Sequence, residues 1–447
     1  MESRRMRHWR LPAVLAAMAL VVAACTTDTS SSPGAGGSSG DGGDAGDVVM
    51  ISSQLVPTAE QEAMRNEILA DFSGTVDFIG AEPGPFNDQI RAQEEAGSGE
   101  ISIIGGLDGE FSSFAAEGLL TDLSDVAEEL ADVGINEDYL ELGKLGTDEQ
   151  LYIPWMQATY IMVARNEALP FLPDGADVND LTWEQLTEWG ANIEAETGER
   201  RLGFPAGEDG LLHRFFQGYA YPAFTGGVNT TFTSPEAVEM WSWLTETWQY
   251  VNPQSTTYGF MQEPLQSGEV WVAWDHTARL IQALESQPDD IIAFPVPSGP
   301  EGKAYMPVVA GLAIPTTAAN VEGAKDLIRY LLSPETQATT LGAVSFFPVI
   351  ESELPDVGPG LQAEIDAVEA QLNADDALPA YLPVGLGEEG GAYSQVFRDV
   401  FQQVVMDGAD PATVLAEQLP NLQAVFENSG APCWPPDPES EGACQAE

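Results

Sequence analysis

Residues 151–166 (LYIPWMQATYIMVARN) change character halfway along, and this change constrains the architecture more than any other stretch of the chain. Pro154 cannot donate a hydrogen bond to a sheet ladder, so the segment is expected to begin as a loop, with no central strand starting before this residue. Further along it becomes continuously apolar through residues 161–164, which is typical of a strand buried on both faces. The segment therefore predicts a chain that leaves one compact domain and enters a second. A cleft between two such domains can enclose a small ligand.

Short apolar runs alternate with amphipathic segments before this crossing. Strands are predicted at residues 47–55, 75–80 and 101–106, and helices at residues 58–72, 87–96 and 111–117. Strands that alternate with helices predict right-handed crossovers and a parallel sheet, hence an α/β fold. Ligands of such sheets bind beyond the carboxyl ends of the strands, which here are residues 52–54, 80–86 and 106–108.

The first 24 residues have the pattern of an export signal. Four arginines precede an apolar run at residues 11–22, which is shorter than the roughly 20 residues of a membrane span. The run ends in Ala23-Ala24-Cys25, which resembles the bacterial lipobox and implies cleavage before Cys25 and attachment of diacylglycerol to its thiol. The alternative is an ordinary signal peptide with an incidental cysteine. Residues 25–46, rich in Thr, Ser, Gly and Asp, are then expected to form a flexible tether.

The other two cysteines of the chain, Cys433 and Cys444, bracket a Pro-rich tail at residues 431–447. In an exported protein the simplest interpretation is a disulfide that closes this tail. A zinc site has little support, because neither His213 nor His276 lies near the cysteines in the sequence. We therefore expect no metal and no cofactor.

The formal net charge of the chain is −55. Such an acidic surface disfavours nucleic acid and anionic lipid as partners. Two explanations remain open: capture of a cationic ligand, or adaptation to a saline medium. The scattering of Asp and Glu through every predicted helix and loop favours the second.

Several segments, in their order and spacing, are similar to one known family. They are FAAEGLLTDLSD at residues 114–125, YIPWMQATYIMVARNEAL at 152–169, SPEAVEMWSWL at 234–244, LQSGEVWVAWD at 265–275 and GLAIPTTAANVEGAKDLIRYLLSPETQ at 311–337. Together with the lipobox and tether, they resemble the extracellular solute-binding proteins (family 1) of carbohydrate ABC transporters, the maltose-binding-protein-like lipoproteins. Many relatives have Gly-Gly-Trp where this chain has Val309-Ala310-Gly311, so one aromatic residue of the ligand site is missing or supplied elsewhere.

The resemblance implies a two-lobed periplasmic-binding-protein-like fold with three interlobe crossings. We expect the first lobe at residues 47–157 plus 277–310 and the second at residues 158–276 plus 311–430. It further implies a monomer without catalytic activity, held by lipid alone on the extracellular face of the cell membrane. Such a protein captures a carbohydrate between its lobes and delivers it to the transmembrane subunits of an ABC permease.

A neutral sugar presents hydroxyls at its edge and C–H groups on its faces, so its site needs carboxylates, amides and flat aromatic rings. Candidate residues are those at inferred strand ends, crossings and helix starts facing the cleft. They are Trp155 and Trp274 for stacking, Gln157, Asp108 and Asp275 for hydrogen bonding, and Gln54, Tyr160, Tyr305 and Tyr393 as further contacts, with Glu208, Asp209 and His213 as weaker candidates. For each of them the alternative is a packed aromatic residue or a solvated acid.

Two other functions remain open. A secreted glycoside hydrolase also uses paired carboxylates and aromatic platforms, but carboxylate pairs arise by chance in so acidic a chain. The sequence contains no HExxH motif or phosphate-binding loop, and its GxSxG match at residues 36–40 falls in the expected tether and not at a strand-to-helix elbow. A binding protein for a cation such as a polyamine would give the acidity a function, and its affinity would be sensitive to salt.

Overall fold

The computed structural model describes residues 46–351 and 356–447. The predicted signal peptide, the lipidation site Cys25 and the tether up to residue 45 lie outside the described residues. Within the described ranges, no helix combines the length and the apolar character that crossing a membrane requires.

The strands alternate with helices along most of the chain. The strands are β1 (Asp47–Ser52), β2 (Thr75–Gly80), β3 (Ile101–Leu107), β4 (Ile153–Ala158), β5 (Tyr160–Arg165), β6 (Leu202–Gly203), β7 (Val272–His276), β8 (Ile291–Phe294), β9 (Lys303–Tyr305), β10 (Val308–Ala313) and β11 (Ala377–Pro379). The helices are α1 (Thr58–Ala63), α2 (Pro83–Ala96), α3 (Asp108–Ala116), α4 (Ser124–Glu129), α5 (Glu137–Leu142), α6 (Trp183–Thr197), α7 (Leu212–Phe215), α8 (Tyr221–Thr225), α9 (Pro235–Thr247), α10 (Gln262–Ser267), α11 (Thr277–Ser286), α12 (Val321–Leu331), α13 (Pro334–Val344), α14 (Pro359–Leu372), α15 (Gly390–Phe401) and α16 (Pro411–Ser429). Three π-helical turns continue α1, α7 and α15, at Met64–Ile68, Phe216–Ala220 and Gln402–Met406.

The first sheet has the strand order β2-β1-β3-β10-β4. β1 is parallel to β2 and β3, whereas β10 runs antiparallel to β3 and β4. Met50 and Ile51 are both fully buried although they belong to different apolar clusters, Met50 with Phe78 and Ile51 with Phe86. Helices cover both faces of this sheet, which explains why residues 48–51 are continuously apolar.

The second sheet has the strand order β6-β7-β5-β8. β7 is parallel to β6, and β5 lies antiparallel between β7 and β8. Its central strand β5 is the apolar half of the crossing segment. Ile161 and Val163 pack in one cluster and Met162 in the other, so this strand is also buried on both faces.

The chain passes from the first sheet to the second at Thr159, between β4 and β5. The sequence predicts that this segment begins as a loop and that no central strand starts before Pro154, but β4 begins at Ile153, one residue earlier. The reason is that β4 lies at the edge of its sheet, where a proline such as Pro154 is tolerated. The Thr159 hydroxyl donates to the carbonyl oxygen of Met306 at 2.9 Å, which ties this crossing to a second one between β9 and β10. The third connection joins α13 to α14, and Phe347 on it pairs with Gln157 on β4.

Two of the expected lobe boundaries disagree with the way the strands pair in the two sheets. Residues 277–310 were expected in the first lobe, but β8 pairs with β5 and α11 packs against α14 and β8. The segment after residue 310 was expected in the second lobe, but β10 belongs to the first sheet and α12 contacts β1, β3 and β4. Apolar periodicity identifies a strand but does not specify which sheet it joins, so the sequence placed the second and third crossings at the wrong junctions.

The C-terminal tail is closed by a disulfide between Cys433 and Cys444, the pair that the sequence predicted. Inside the resulting loop, Asp437 is buried and accepts hydrogen bonds from the backbone of Val228, Asn229 and Thr230. The tail is therefore an integral part of the second lobe.

Glu364 on α14 provides a test of the packing between α14 and α11. It is 0% exposed, and neither of its carboxyl oxygens has a hydrogen-bond partner within the described residues. Burial, with a smaller contribution from the charge of Glu285, raises the pKa of Glu364 well above its ordinary value of 4.5. The carboxyl group ionises on unfolding at pH 7, so it costs stability there and costs none in acid, where both states are protonated.

Replacing Glu364 by methionine should therefore raise the free energy of unfolding by about 1–3 kcal/mol at neutral pH and by much less near pH 4. Urea unfolding at the two pH values measures the difference. Glu369→Met is the matched control, because Glu369 lies on the same helix and is exposed. An equal gain for Glu364→Met at both pH values would show that its carboxyl group is not held neutral in the fold.

Candidate functional site

Two cavities lie between the lobes. The first, which we call the Arg214 cavity, has a volume of 430 Å³. Its wall in the first lobe comes from α2, the end of β3 and the start of α3, and its wall in the second lobe from Arg214 and the segment before α15. Its lining residues include Asn87, Arg91, Leu107, Glu110, Ser113, Arg214, Leu382, Pro383 and Gly390.

The second cavity, which we call the Tyr381 cavity, has a volume of 960 Å³. It lies between α3 and α5 of the first lobe and the disulfide-closed tail of the second lobe. Its lining residues include Asp108, Ser112, Asp138, Glu141, Tyr381, Gly385, Trp434, Pro435, Glu439 and Ser440.

Contacts between the lobes narrow the cleft between these two cavities. Asp108, Tyr152 and Val309 from the first lobe and Tyr381 and Leu382 from the second enclose a space of only 10 Å³. The N-terminal end of α3 lies against the segment that follows Tyr381, and a Cβ placed on Gly109 would lie 3.6 Å from the carbonyl oxygen of Pro383. The lobes thus touch at the middle of the cleft and separate on either side.

Asp108 lies at this narrow point, at the beginning of α3. It is 6% exposed, and its Oδ1 accepts a hydrogen bond of 3.1 Å from the Tyr152 hydroxyl. Burial raises the pKa of Asp108 to about 7, and the hydrogen bonds from Tyr152 and Ser112 offset part of that rise. At neutral pH this carboxyl group is divided between the acid, which can donate to a ligand hydroxyl, and the anion, which can only accept.

The pKa of Asp108 also predicts a pH dependence of stability. The folded state keeps its proton up to about pH 7, while the unfolded chain loses it near its ordinary value of 3.8, so stability falls as the pH rises between these values. Relative to Asp108→Asn, the wild-type protein should lose about 1–3 kcal/mol of unfolding free energy between about pH 4 and pH 8. Chemical unfolding of both proteins across this range measures it. A constant difference between them would contradict the raised pKa.

Glu110 forms the wall of the Arg214 cavity next to the end of β1. Its Oε2 accepts hydrogen bonds from the Ser53 hydroxyl at 2.6 Å and from the backbone N–H of Leu107 at 2.9 Å. Gln54, a predicted contact, donates to the same Ser53 hydroxyl at 3.1 Å and does not line the described cavities. Near the end of β1, Glu110 therefore lines the Arg214 cavity and the predicted contact Gln54 does not.

Three arginines lie near His213 in the second lobe, and of these Arg214 alone lines the Arg214 cavity. Arg214 follows His213 at the start of the second lobe's α7, and Arg398 on α15 lies 3.1 Å from Nδ1 of His213. Burial, followed by the positive charges of Arg214, Arg398 and Arg279, lowers the pKa of His213 to about 2. His213 is therefore neutral, and the positive charge of this region belongs to the arginines alone.

Three tyrosines and the carboxylate of Asp138 lie on the side of the cleft that contains the Tyr381 cavity. Tyr139 donates a hydrogen bond of 2.6 Å to Oε1 of Gln157, whose Nε2 donates to the carbonyl oxygen of Pro348. Tyr305 and Tyr381 are half-buried, and burial followed by the charge of Asp138 raises the pKa of Tyr305. Tyr305 lies close to the Tyr381 cavity, because its carbonyl oxygen accepts a hydrogen bond of 2.8 Å from the backbone N–H of Ala380, next to Tyr381. The side-chain amide of Gln157 is already occupied by protein partners.

The two tryptophans predicted to stack on a ligand are both fully buried in the core and line neither cavity. Trp274 stacks on Tyr160 with ring centroids 4.7 Å apart and 4° between the planes. Trp155 belongs to the same large apolar cluster. In this structure, Trp155, Tyr160 and Trp274 are packing residues.

Two further predicted contacts have structural partners. Asp275 accepts hydrogen bonds from the backbone N–H groups of Met261 and His276, and the hydroxyl of buried Tyr393 donates to Asn229 at 2.8 Å. Of the nine predicted ligand contacts, Asp108 alone lines one of the two cavities, the Tyr381 cavity. Glu110, Arg214 and Tyr381 were not predicted from the sequence, although Glu110 follows the predicted strand end at residues 106–108.

In the part of the chain that the structure describes, no group of three or more His, Cys, Asp or Glu side chains is arranged to hold a metal ion. The polar groups of the cleft are carboxyls, amides, hydroxyls and guanidiniums, which suit recognition of a polar organic ligand by hydrogen bonds.

Residues 57–338 match the family model described as "Bacterial extracellular solute-binding protein". The chain belongs to this family. A search of curated protein sequences gave no match.

Solved structures of solute-binding proteins share the fold. The GacH receptor of Streptomyces glaucescens, solved unliganded and with acarbose, aligns with a TM-score of 0.66 at 17% identity, over 86% of this solute-binding protein and 99% of its own chain. UgpB of Mycobacterium tuberculosis, in complex with glycerophosphocholine, aligns with a TM-score of 0.68 at 18% identity, over 87% and 99% of the two chains. The sugar-binding protein MalE of Xanthomonas citri aligns with a TM-score of 0.68 at 15% identity, over 86% and 98%. At these identities the similarity establishes the two-lobed fold, as the sequence predicted.

Proposed function

We propose that this solute-binding protein is the substrate-binding component of an ABC importer and that it captures a saccharide or a saccharide-like polyol between its lobes. The observation that carries the proposal is a cleft whose two cavities are each lined by both lobes, with Asp108 at their junction. A ligand that contacts both walls is bound more tightly when the lobes close, so ligand capture and closure favour one another.

The chemistry of the Tyr381 cavity supports this ligand class. Tyr381 and Trp434 offer aromatic surface for the C–H faces of a sugar ring, while Ser112, Asp138 and Ser440 offer hydroxyls and a carboxylate for its edge. Its volume of 960 Å³ lies near the upper end of the roughly 300–1,000 Å³ typical of ligand pockets, which suits an oligosaccharide better than one ring.

The ligands of structurally similar proteins point the same way. Acarbose, maltose and a chitin oligosaccharide are among the compounds that these proteins bind or recognise. We extend this ligand class to the present chain because it shares the fold. Anchoring through a lipid on Cys25, location on the extracellular face of the membrane and delivery to a permease complete the proposal.

A cationic ligand is a second candidate, favoured by one feature of the cleft. Asp108, Asp138, Glu141 and Glu439 all line the Tyr381 cavity, so a polyamine would meet several carboxyl groups there. Against this, the pKa of Asp108 is raised to about 7, which reduces its negative charge, and the neighbouring Arg214 cavity would repel a cation.

A thermal-shift screen distinguishes these proposals. A ligand that binds only the folded state raises the melting temperature, and a saccharide at about 100 times its Kd should raise it by about 2 °C or more. The screen should contain neutral mono- and oligosaccharides, glycerol derivatives and spermidine, with product analysis to detect hydrolysis. A shift with spermidine alone would favour the cationic ligand, and turnover of an oligosaccharide would favour a glycoside hydrolase.

A further inference from the structure

We propose that the ligand carries an anionic group, a carboxylate or a phosphate, which binds Arg214 in the cavity between the lobes. This inference rests on the proposed function and narrows its ligand class from neutral saccharides to acidic saccharides or phosphate-bearing polyols.

The charge of Arg214 has no carboxylate partner within the described residues. Its Nη1 donates a hydrogen bond of 3.0 Å to Oε1 of Gln217, and no described carboxylate oxygen lies within 4.0 Å of its guanidinium. Basic residues elsewhere in the described chain commonly do form such ion pairs, namely Arg91, Lys144, Arg165, Arg200, Arg201, Lys325 and Arg329. In a chain with 71 acidic and 16 basic residues, a cation that faces a cavity without a carboxylate partner is a specific arrangement.

Two further arginines reinforce the positive charge around Arg214. Arg398 contacts the ring of neutral His213, and Nη1 of Arg279 donates to the carbonyl oxygen of Gly259 at 3.0 Å. Neither has a described carboxylate within 4.0 Å. The positive charges of all three guanidiniums lower the pKa of His213, so the three arginines lie in one region of the second lobe, around His213.

The opposite wall of the cavity supplies hydrogen-bond donors. Asn87 and Ser113 line it from the first lobe, beside Arg91, whose guanidinium pairs with Glu117 at 2.8 Å. Glu110 is the acidic side chain of this wall, and its Oε2 is engaged by Ser53 and Leu107 of its own lobe. An anion in the cavity would therefore be held between the guanidinium of Arg214 and neutral donors across the cleft.

The chemistry of arginine suits this role. A guanidinium presents a planar fork of N–H donors that matches a carboxylate or a phosphate, and such charge-assisted pairs are stronger than neutral hydrogen bonds. Arg214 is half-buried, and burial lowers its pKa. A bound anion would therefore meet a guanidinium that is already partly removed from water.

The net charge of −55 does not oppose this binding at short range. Exposed charges are screened beyond about 8 Å at physiological ionic strength, so groups within the cavity decide which ligand binds. A volume of 430 Å³ accommodates one sugar ring with its acidic substituent, while further rings would extend towards the Tyr381 cavity.

The test is calorimetric titration of the full-length protein in detergent with matched ligand pairs. Glucuronic acid and digalacturonic acid provide carboxylates, and glucose 1-phosphate and glycerophosphocholine provide phosphates. Glucose, maltose and glycerol are the neutral controls, and spermidine is the cationic control. We expect at least one anionic compound to bind about 10-fold or more tightly than its neutral match.

Variants then locate the anion. Arg214→Met should weaken binding of the anionic compound by about 30-fold or more, while Arg214→Lys retains part of the affinity and the neutral compounds change little. Arg200→Met removes an exposed arginine of the same lobe and should have no effect. The melting temperature of each variant without ligand verifies folding, and the ratio of anionic to neutral affinity is insensitive to a general loss of stability.

Each outcome separates the inference from the proposed function. If a neutral saccharide binds as tightly as its acidic match and Arg214→Met leaves both unchanged, the inference fails while the saccharide-binding proposal stands. Binding of spermidine alone overturns both. A preference for the carboxylate or for the phosphate compounds identifies the anion, and a panel in which no anionic compound binds overturns the inference.

Discussion

Replacing Asp437 by alanine should lower the free energy of unfolding by about 3–5 kcal/mol, because it leaves several buried donors without an acceptor. Asp437 is 3% exposed. Its Oδ2 accepts from the backbone N–H of Asn229 at 2.8 Å and from the side chain of the same residue at 3.0 Å. Its Oδ1 accepts from the N–H groups of Val228 and Thr230 and from the Thr230 hydroxyl. No other side chain joins the tail to the second lobe with as many hydrogen bonds among the described contacts.

Denaturant unfolding under oxidising conditions measures this loss. Glu441→Ala is the matched control, because Glu441 is an exposed acid of the same disulfide loop and its removal should change stability by less than about 0.5 kcal/mol. Asp437→Asn keeps the shape of the side chain and one acceptor oxygen, so its stability should lie between those of Asp437→Ala and Glu441→Ala. If Asp437→Ala were as stable as Glu441→Ala, the tail would not be docked as described.

Replacing Trp274 by alanine should cost about 3–5 kcal/mol of stability, the typical loss for a large aromatic residue removed from a packed core. Trp274 is 0% exposed and contacts three aromatic rings. It stacks on Tyr160 and meets Phe215 and Tyr219 edge to face, with centroids 5.1 and 5.3 Å away. This prediction separates the structural role from the ligand contact that the sequence suggested.

Trp274→Phe is the informative control. The indole Nε1–H has no acceptor among the described residues, so phenylalanine removes an unpartnered donor and retains most of the ring contacts. The Trp274→Phe variant should lose less than about 2 kcal/mol of unfolding free energy. Measuring the unfolding free energy and the ligand affinity of both variants distinguishes a packing role of Trp274 from a ligand contact. A Trp274→Ala protein that keeps its stability but loses its ligand would restore Trp274 to the binding site.

The disulfide-closed tail also connects stability with the candidate site. Trp434, Pro435, Glu439 and Ser440 form one wall of the Tyr381 cavity, and the loop that carries them is held by Asp437. A part of the chain that the sequence predicted only as a closed terminal loop thus shapes the larger half of the cleft.

The fold was predictable because its determinants are local. The continuously apolar strands β1, β3 and β5 require sheets buried on both faces, and residues 151–166 were predicted as the passage into a second domain. Sheet membership was not predictable in the same way. Whether β8 or β10 joins one sheet or the other depends on contacts between residues more than 100 positions apart, such as Val163 with Ala293.

The candidate site was predicted less well, for a physical reason. An aromatic residue at a predicted strand end can either pack in the hydrophobic core or stack on a sugar, and the sequence does not distinguish the two roles. Trp155 and Trp274 are packed in the core. Asp108 was singled out because it follows a parallel strand, where fold topology places ligands. Arg214 and Tyr381 lie on a helix and a loop that only tertiary packing brings to the cleft, and no periodicity marks them.

Amide hydrogen exchange, with and without the compound that gives the largest thermal shift, tests whether a ligand is enclosed between the two lobes. Bound ligand should slow exchange on both walls of the cleft, at residues 107–113 in the first lobe and at residues 381–391 in the second, because closure protects both. Protection confined to one lobe, or found only on surfaces away from these two segments, would contradict the account.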